Sequence, residues 1–514
     1  MSKKANRSGA KACSGRERDG GVRSAREPSG VCRGYNSDVS TMMEMNRHPF
    51  HIWLMAVMML TSIAAYGRDD LSTLADSLPE RWLYEPEATQ EFPTDDQWWR
   101  LFGDPLLDSL IAEGERANFN LLQAGRRIAI ARQSVAKARS AFWPSLSVSG
   151  GWNKIRQSGD ENVREGDAVT VDYFSAGADM QWEIDVFGKV RKDVEMQQAS
   201  YRASRADYAS VSISVCAQIA SSYIKLRTLQ RQLEVTLDHV EEQRKVMKIT
   251  EARFDTGLAS MLDVSQARTV YYSTLASLSS LRTSVAVTVN ALAVLTGSMP
   301  AEMAGRLSAP AALPEADMLV PATVPSDLLR RRPDVVAAEE QLAVSAAAVG
   351  VAKKDFLPVL SLAGSIGTSA HRLDDLMTRR SMTYTIAPQL SWTIFDGFAR
   401  RAAVASVKEQ MLASIDAYNL TLLTAVQEVD DALISYTNAV AYEQSLHKVT
   451  EAAQKAADLS LDRYKQGLDA FINVAQAQIT LLQYNNEAVE ARGESLTALV
   501  NLYKALGGGW AVGR

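Results

Sequence analysis

The turn RFDTGLASMLDVSQA (residues 253–267) returns 210 positions later as RYKQGLDAFINVAQA (residues 463–477). Six of the fifteen residues are identical, and Leu262/Ile472 and Asp263/Asn473 are close replacements. A single match of this size can arise by chance. A duplicated chain must also repeat its other landmarks at a similar offset.

Other landmarks do recur, in the same order. AFWPSLSV (141–148) matches DFLPVLSL (355–362) at an offset of 214, and the Trp-x-Ile of 182–184 matches that of 392–394 at 210. The sequence therefore predicts two structural repeats joined by a Pro- and Ala-rich linker. Their predicted bounds are 104–300 for the first repeat, 301–325 for the linker and 326–510 for the second repeat.

Two long runs predict the main helices. The chain contains runs of 68 and 69 residues without Gly or Pro, the two residues that most disfavour helix interiors. They predict helices 189–256 and 398–466, each roughly 100 Å long at about 1.5 Å per residue. Each run ends at a glycine of the opening motif, Gly257 or Gly467, as expected for a helix C-terminus.

Shorter helices complete each repeat. After each glycine a return helix of 39 residues is predicted, at 258–296 and 468–506. Before each Pro landmark a short helix of 23 residues is predicted, opening on Asn120 or Asp334, which are good capping residues. A return helix and a short helix laid end to end nearly match one long helix. Each repeat is therefore expected to form a rod two helices wide, with the glycine motif at its tip.

Alternating segments predict two β-hairpins, 145–185 and 359–395. Residues 383–394, for example, place apolar side chains on one face and small or polar ones on the other, as in a strand between lipid and water. The aromatic residues expected on the membrane face are Trp152, Trp182, Tyr384 and Trp392.

The strand count predicts an assembly. An open sheet edge in lipid leaves backbone groups unpaired, so membrane strands must close into a barrel. Four strands are too few. Two chains would give eight strands around a packed interior, whereas three chains would give twelve strands around a lumen. The helices continue from these strands, so the lumen should extend through a helical tube.

Composition excludes some partners and predicts export. The net charge is −5, and the chain beyond residue 41 carries −10, which argues against nucleic acid as a partner. Residues 1–41 have the composition of a disordered segment or lie upstream of the true start. Residues 42–67 match a secretory signal peptide, with an N-terminal membrane anchor as the alternative, and 68–103 are interpreted as an N-terminal periplasmic segment. The only cysteine beyond the signal is Cys216, so no lipidated N-terminus is expected.

No enzymatic motif is found. The histidines beyond the signal, His239, His371 and His447, lack metal-ligand spacing, and no phosphate loop or nucleophile elbow is present. We therefore expect no enzyme activity, no metal and no cofactor.

The combined motifs resemble the TolC-like outer-membrane efflux channels, specifically the NodT-type branch of drug-efflux outer-membrane factors. The resemblance covers roughly residues 80–510. Besides the glycine motifs, it is carried by WWRLFGDPLLDSLI (98–111), AFWPSLSV, WEIDVFGKVR (182–191), RRPDV (331–335) and NLYKALGGGW (501–510).

The resemblance implies a mainly α fold with membrane β-structure. In this fold a homotrimer forms a 12-stranded transmembrane β-barrel that continues into a long periplasmic α-helical coiled-coil barrel. It also implies location in the outer membrane, where lipid surrounds the barrel. The implied partners are a periplasmic adaptor, or membrane fusion protein, and an inner-membrane transporter of the resistance-nodulation-division type. The implied function is a passive exit duct for drugs or other small molecules.

Functional residues follow from the same resemblance. The turns that meet the adaptor match Gly257, Leu258, Ala259, Gly467, Leu468 and Asp469. Relatives narrow the periplasmic opening with a Leu, an Asp and an Arg on the second return helix. The matching positions here are Ile472, Gln476 and Ile479. An apolar ring is thus retained at the pore constriction, whereas the charged pair is not.

Two alternatives remain open from the sequence. The same fold could serve as the exit duct for type I protein secretion or for metal efflux, because cargo is chosen mainly by the pump. A non-channel coiled-coil scaffold of the cell envelope would also explain the long helices, although it would not explain the four alternating segments.

Overall fold

Helices and strands follow one another in the same order in both halves of the chain. In the computed structural model, the described residues are 97–157, 169–314 and 331–508, together with Leu83, Thr89–Gln90 and Val320–Pro321. All lie in one unit, Leu71–Arg514. The predicted segments 1–41 and 42–67, most of 68–103 and part of the linker 301–325 lie outside the described residues.

The described helices are α1 Pro105–Ala117, α2 Phe119–Ser140, α3 Lys189–Asp255, α4 Met261–Thr296, α5 Pro300–Leu307, α6 Pro333–Lys354, α7 Ala399–Lys465 and α8 Phe471–Ala505. Short 3-10 helices span Trp98–Phe102 and Leu373–Asp375. The strands are β1 Thr89–Gln90, β2 Ser145–Gln157, β3 Val169–Ile184, β4 Val320–Pro321, β5 Val359–Ala370 and β6 Met382–Ser391. The long helices α3 and α7 have 67 residues each.

The return helices begin three residues later than the sequence predicted. Helix α4 starts at Met261 because Ser260 is its N-cap: Asp263 N donates to Ser260 Oγ, and Ser260 N donates to Asp263 Oδ2. This reciprocal capping box fixes the first turn of α4. Helix α8 likewise starts at Phe471. The residues between each glycine and helix form the turn itself.

The starts of the short helices also differ from the prediction. Helix α2 is capped by Asn118, whose side chain accepts from the amides of Asn120 and Leu121, so Asn120 is already helical. Helix α6 starts at Pro333, which needs no amide partner in the first turn, and Asp334 follows inside the helix. Both changes move a boundary by one or two residues.

The long helix α3 holds the two halves together. It packs against α2 and α4 of its own half and against α6 and α8 of the second half, while α7 packs against α6 and α8. Gly493 of α8 lies against Thr228 of α3, where an added Cβ would stand 2.2 Å from Thr228 Oγ1. Only a residue without a side chain fits at this contact.

The largest apolar core lies where the N-terminal helices meet the end of α8. Trp98 stacks on Tyr503 with ring centroids 5.3 Å apart, and Tyr223 of α3 is fully buried beside them. The hydroxyl of Tyr223 donates to Asp104 Oδ2 at 2.5 Å. The stretch 98–111, at the start of the first repeat, supplies part of this core.

The strands β2, β3, β5 and β6 form an antiparallel sheet in that order. Its register places paired residues in rows on the same face. In one row Leu146 pairs with Met180, Met180 with Gly364, and Gly364 with Ile386. A shift by one residue would exchange the faces. The outer strands β2 and β6 each have one edge without a partner strand among the described residues.

Candidate functional site

The two hairpin tips have the same backbone geometry. At the first tip, Gly257 N donates to Phe254 O at 2.9 Å and Leu258 N donates to Arg253 O at 2.8 Å. The second tip repeats both bonds around Gly467, at 2.9 Å each. Both glycines have φ +75°. These are Schellman turns, which satisfy the last carbonyls of each long helix and require a left-handed residue.

The tips present leucine to solvent. Leu258 and Leu468 are 68% and 63% exposed, and the two glycines are exposed beside them. Ala259 and Asp469, at the next position of each turn, are half-buried. Each tip therefore offers an apolar side chain on a rigid turn.

The two tips differ in how they are braced. At the second tip the Asp469 carboxylate accepts from Asn473 Nδ2 at 2.5 Å, from Ala470 N at 2.9 Å and from Arg463 Nε at 3.4 Å. The hydrogen bond from Asn473, followed by the other donors, lowers the pKa of Asp469 below its usual value. The first tip uses the Ser260 capping box instead.

Arg253 joins the two tips of one chain. Its Nη1 donates to Lys465 O at 2.7 Å, and its guanidinium carbon lies 5.0 Å from the centroid of the Tyr464 ring. Beneath it, apolar side chains from both hairpins form one buried cluster, including Val246, Val270 and Phe471. Sequence reasoning missed this contact.

The predicted constriction residues lie on one exposed face of α8. Ile472 and Ile479 are about half exposed, and Gln476 between them is exposed. The face continues along the helix at spacings of three, four or seven residues, through exposed Gln483, Glu490, Glu494, Asn501 and Lys504. The first carboxylate of this exposed series is thus Glu490, well beyond the predicted constriction residues.

A groove of about 800 Å³ lies farther along the same face. Helices α3, α7 and α8 and the start of α6 form its walls. Its charged lining includes Glu428, Asp431, Glu490 and Glu494 as well as Lys225 and Lys504. The charged side chains that line this groove favour contact with water over contact with apolar molecules.

One face of the sheet is apolar and exposed. Tyr384 and Ile386 of β6 are 78% and 74% exposed, and Leu146 and Val148 of β2 are exposed on the same face. Trp152 continues this face and pairs with Phe174. Exposed apolar side chains in such a continuous row are costly in water and stable in lipid.

Two predicted membrane tryptophans have a second role. Trp182 Nε1 donates to Phe142 O at 3.0 Å, and Trp392 Nε1 donates to Phe356 O at 2.9 Å. Each indole thus hydrogen-bonds the end of a hairpin to the segment between the short helix and the first strand of the same hairpin. Trp392 lies just beyond β6, which ends at Ser391 rather than at the predicted residue 394.

The opposite face of the sheet is polar and carries small side chains. One row across the four strands reads Ser147, Asp179, Ser365 and Thr385. Gly177 and Gly367 face each other in the next row, where an added Cβ on either would lie 3.0 to 3.3 Å from the opposite backbone. This face suits water rather than lipid.

The model of the outer membrane efflux protein family matches residues 110–298 and 324–508, one match in each half. The chain belongs to this family. Relatives include the toluene efflux pump outer membrane protein TtgC of Pseudomonas putida, which is 30% identical over 85% of this chain and 90% of the relative. The pyoverdine export outer membrane protein OpmQ of Pseudomonas aeruginosa is 31% identical over 84% and 91%. The nodulation protein T of Rhizobium leguminosarum is 28% identical over 80% and 88%.

Solved structures agree with this assignment. The outer-membrane channel OprN has a TM-score of 0.76 and 28% identity, and the match covers 84% of this chain and 99% of OprN. The Campylobacter jejuni CmeC channel has a TM-score of 0.75 at 23% identity, covering 86% and 93%, which shows the shared fold. The TolC-like fold and the outer-membrane location expected from the sequence are confirmed.

Two of the described helices of this efflux protein are long and apolar enough to span a membrane, by length and composition only. They are Met261–Thr296 and Pro333–Lys354. Both pack in the helical bundle, and α4 keeps Val287 and Val294 exposed. Most apolar residues of these helices are Ala and Val, with Leu in α4.

Reactive groups are sparse in the part of the efflux protein that the structure describes. No group of three or more His, Cys, Asp or Glu side chains is arranged there to hold a metal ion. Cys216 is buried, and burial raises the pKa of its thiol to about 12. A thiol with such a pKa is a poor nucleophile.

A polar seam lies between α3 and α8, an arrangement that the sequence did not predict. His239 is buried, with Nε2 2.9 Å from Asn485 Nδ2, and Gln232 Nε2 donates to Asn486 O at 3.3 Å. Gln243 is buried nearby in sequence, and its side-chain amide has no partner among the described residues. Burial lowers the pKa of His239, while Glu242 and Asp238 act in the opposite direction.

A buried arginine connects three helices in the second half of this efflux protein. Arg332 Nη1 donates to Ala505 O at 2.7 Å, and its Nη2 pairs with Asp334 at 2.7 Å and with Glu428 at 2.6 Å. The RRPDV motif therefore serves to attach the start of α6 to α7 and to the end of α8.

Proposed function

We propose that three copies of this chain form a passive exit duct through the outer membrane. Belonging to the efflux protein family supports the channel function. The observation that carries the proposal is the sheet with one apolar exposed face and one polar face, continuous with 67-residue helices. Such a sheet can separate lipid from a water-filled lumen, and the helices can extend that lumen.

The homotrimer is supported by the sheet edges. β2 and β6 leave unpaired edges among the described strands, and lipid cannot satisfy their backbone groups. Three four-stranded sheets would pair β6 of one copy with β2 of the next and close twelve strands. Exposed apolar residues on the helices would be covered in the same step: Phe119, Ile130, Val287, Val294, Leu420 and Leu423.

The tips are proposed to dock a periplasmic adaptor. Each chain has two similar turns with exposed leucines, so a trimer would present six. A membrane fusion protein with matching apolar grooves would cover Leu258 and Leu468. An inner-membrane transporter of the resistance-nodulation-division type would supply the energy, and the duct itself would need no cofactor and no enzyme activity.

The cargo is proposed to be small organic molecules. Relatives are described as efflux proteins for toluene and antibiotics and as export proteins for pyoverdine. The cargoes of these relatives are all small organic molecules. The polar face of the sheet and the wet groove beside α8 offer no large apolar site, as expected for a duct that passes cargo without holding it.

The pore is tested by single-channel conductance of the purified protein in a planar bilayer. We expect low conductance for the wild type and a several-fold increase for Ile472→Gly/Gln476→Gly, because both side chains would narrow the opening. The matched control is Leu459→Gly/Gln454→Gly, an equivalent change on exposed positions of α7. Absence of conductance from every folded variant would reject the channel.

A further inference from the structure

The junctions between strands and helices carry exposed aromatic and basic side chains. We call this set the junction belt; its aromatic members are Trp143, Phe187, Phe395 and Phe398, and its basic members are Lys137, Arg139, Lys353 and Arg401. All four aromatics are exposed, Trp143 and Phe395 by 75% each. Every member lies within about ten residues of the end of a strand on the side of the helices.

The belt has an excess of positive charge. The four junction segments, 137–144, 185–192, 353–358 and 392–401, contain nine Lys or Arg and three Asp or Glu. All three acids are occupied within the chain: Asp185 caps α3 and pairs with Arg191, Asp355 pairs with Lys189, and Asp396 pairs with Arg400. The four basic belt members have no side-chain partner among the described residues.

Helix electrostatics do not explain all of these cations. Lys137, Arg139 and Lys353 occupy last turns, where a cation stabilises the helix dipole. The long helices do the opposite: α3 and α7 begin with basic residues and have no acid in the first turn. A cation at a helix N-terminus is disfavoured by the dipole. Asp185 and Asp396 offset part of this charge by accepting from the first amides of α3 and α7, but Arg401 has no carboxylate partner among the described residues.

One aromatic member of the junction belt, Phe398, has a strained backbone conformation. Phe398 is the only non-glycine residue with positive φ in the described part of the chain, at +69°. The equivalent N-cap in the first half is Gly188, with φ +76°. An aromatic residue in this conformation is disfavoured, and its ring is 61% exposed rather than packed in a core. The fold keeps an exposed ring where glycine would fit without strain.

We propose that the junction belt binds the phosphate groups of anionic phospholipids in the membrane leaflet on the helix side of the barrel. The aromatic rings would lie at the level of the headgroups, and the basic side chains would contact the phosphates. The apolar face of the sheet leads directly to the belt, so lipid chains on that face place their headgroups there. This proposal rests on the proposed function, because it requires the sheet to be in a membrane.

The test measures which lipid the purified protein retains. Detergent-solubilised protein is incubated with equal amounts of phosphatidylglycerol and phosphatidylcholine, and bound lipids are counted by native mass spectrometry. The belt variant is Lys137→Gln/Arg139→Gln/Lys353→Gln/Arg401→Gln. The control variant, Lys245→Gln/Arg379→Gln/Arg380→Gln/Lys455→Gln, removes the same charge from exposed sites on the long helices and on the loop at the other end of the sheet.

We expect the wild type and the control variant to retain phosphatidylglycerol several-fold over phosphatidylcholine, and the belt variant to lose this preference. Phe398→Gly should reduce retention of both lipids without unfolding the protein, because glycine supports the same turn at position 188. Equal retention of the two lipids by the wild type, or an unchanged preference in the belt variant, would overturn the proposal.

Failure of the proposed function has a different signature. Conductance in a planar bilayer together with equal retention of the two lipids would reject the belt and leave the channel intact. No conductance and no retained lipid of either kind would reject both.

Discussion

The guanidinium of Arg253 donates to the backbone carbonyl of Lys465 at 2.7 Å and links the tips of two hairpins that are 212 residues apart in sequence. Lys465 is the last residue of α7, where the carbonyl has no partner within the helix. The same guanidinium covers the ring of Tyr464. One side chain therefore couples both tips of a chain.

Removing this link should loosen the periplasmic opening. Arg253→Ala loses a hydrogen bond and a cation–π contact, each worth roughly 1 kcal/mol or less at a partly exposed site. We expect a higher single-channel conductance and faster hydrogen exchange at the amides of both tips. Arg244→Ala, which removes an exposed arginine paired only within α3, is the control. Equal exchange in both variants would show that the tips are held by the apolar cluster alone.

The tip leucines should be needed for efflux but not for assembly. Leu258→Asp/Leu468→Asp places charge where an adaptor would bury apolar side chains, while both residues are exposed in the chain itself. We expect drug efflux to fall by an order of magnitude in a deletion strain, with normal amounts of detergent-resistant oligomer on gels. Leu459→Asp, at an equally exposed site on α7, should leave efflux unchanged. Loss of oligomers in the double variant would assign the leucines to folding instead.

The long helices and the two faces of the sheet were predictable because their signals are local. Gly and Pro mark where the helices end, and period-two alternation marks the faces of a strand. The bounds of the return helices were less accurate, although the Ser260 and Asp263 spacing is that of a capping box and could have given the start of α4.

Contacts between the repeats were not predictable in the same way. Arg253 contacts a backbone carbonyl, which has no residue-specific signal, and Phe398 adopts a conformation that its residue type disfavours. The His239 seam was missed because a lone histidine on a long helix is usually a surface or packing residue. The roles of the tip and constriction residues stay predictions, since their positions are known but their partners are not.

Gly493 should tolerate no side chain while Thr228 is present. An alanine Cβ would lie 2.2 Å from Thr228 Oγ1, and overpacking of a buried contact costs about 1–3 kcal/mol. We expect Gly493→Ala to lower the thermal unfolding midpoint of the purified protein. Thr228→Ala should restore part of the loss in the double variant, since it removes the two nearest atoms. Additive effects of the two changes would mean that the contact does not limit the packing of α3 against α8.

Arg332 should be far more important for stability than its neighbour Arg331. Arg332→Ala removes the partner of Asp334, Glu428 and Ala505 O together. Breaking a buried ion pair costs about 3–5 kcal/mol, and the lower end applies here because both carboxylates are partly exposed. Arg331→Ala, an exposed position next to it, should change the unfolding midpoint little. Similar midpoints for the two variants would contradict a structural role for Arg332.

The seam between α3 and α8 should make stability depend on pH. Burial lowers the pKa of His239, so the folded protein binds its proton less readily than the unfolded chain does. The stabilising contribution of neutral His239 is therefore complete above the unfolded pKa of about 6.5 and decreases as the pH falls below it. Protonation would also place a second donor against Asn485 Nδ2, although Glu242 and Asp238 on α3 oppose the effect.

The thermal unfolding midpoint should therefore decrease less between pH 7.5 and pH 5 for His239→Gln than for the wild type. His447→Gln, which changes an exposed histidine on α7, should follow the wild type. A parallel decrease in all three proteins would assign the pH dependence to carboxylates elsewhere.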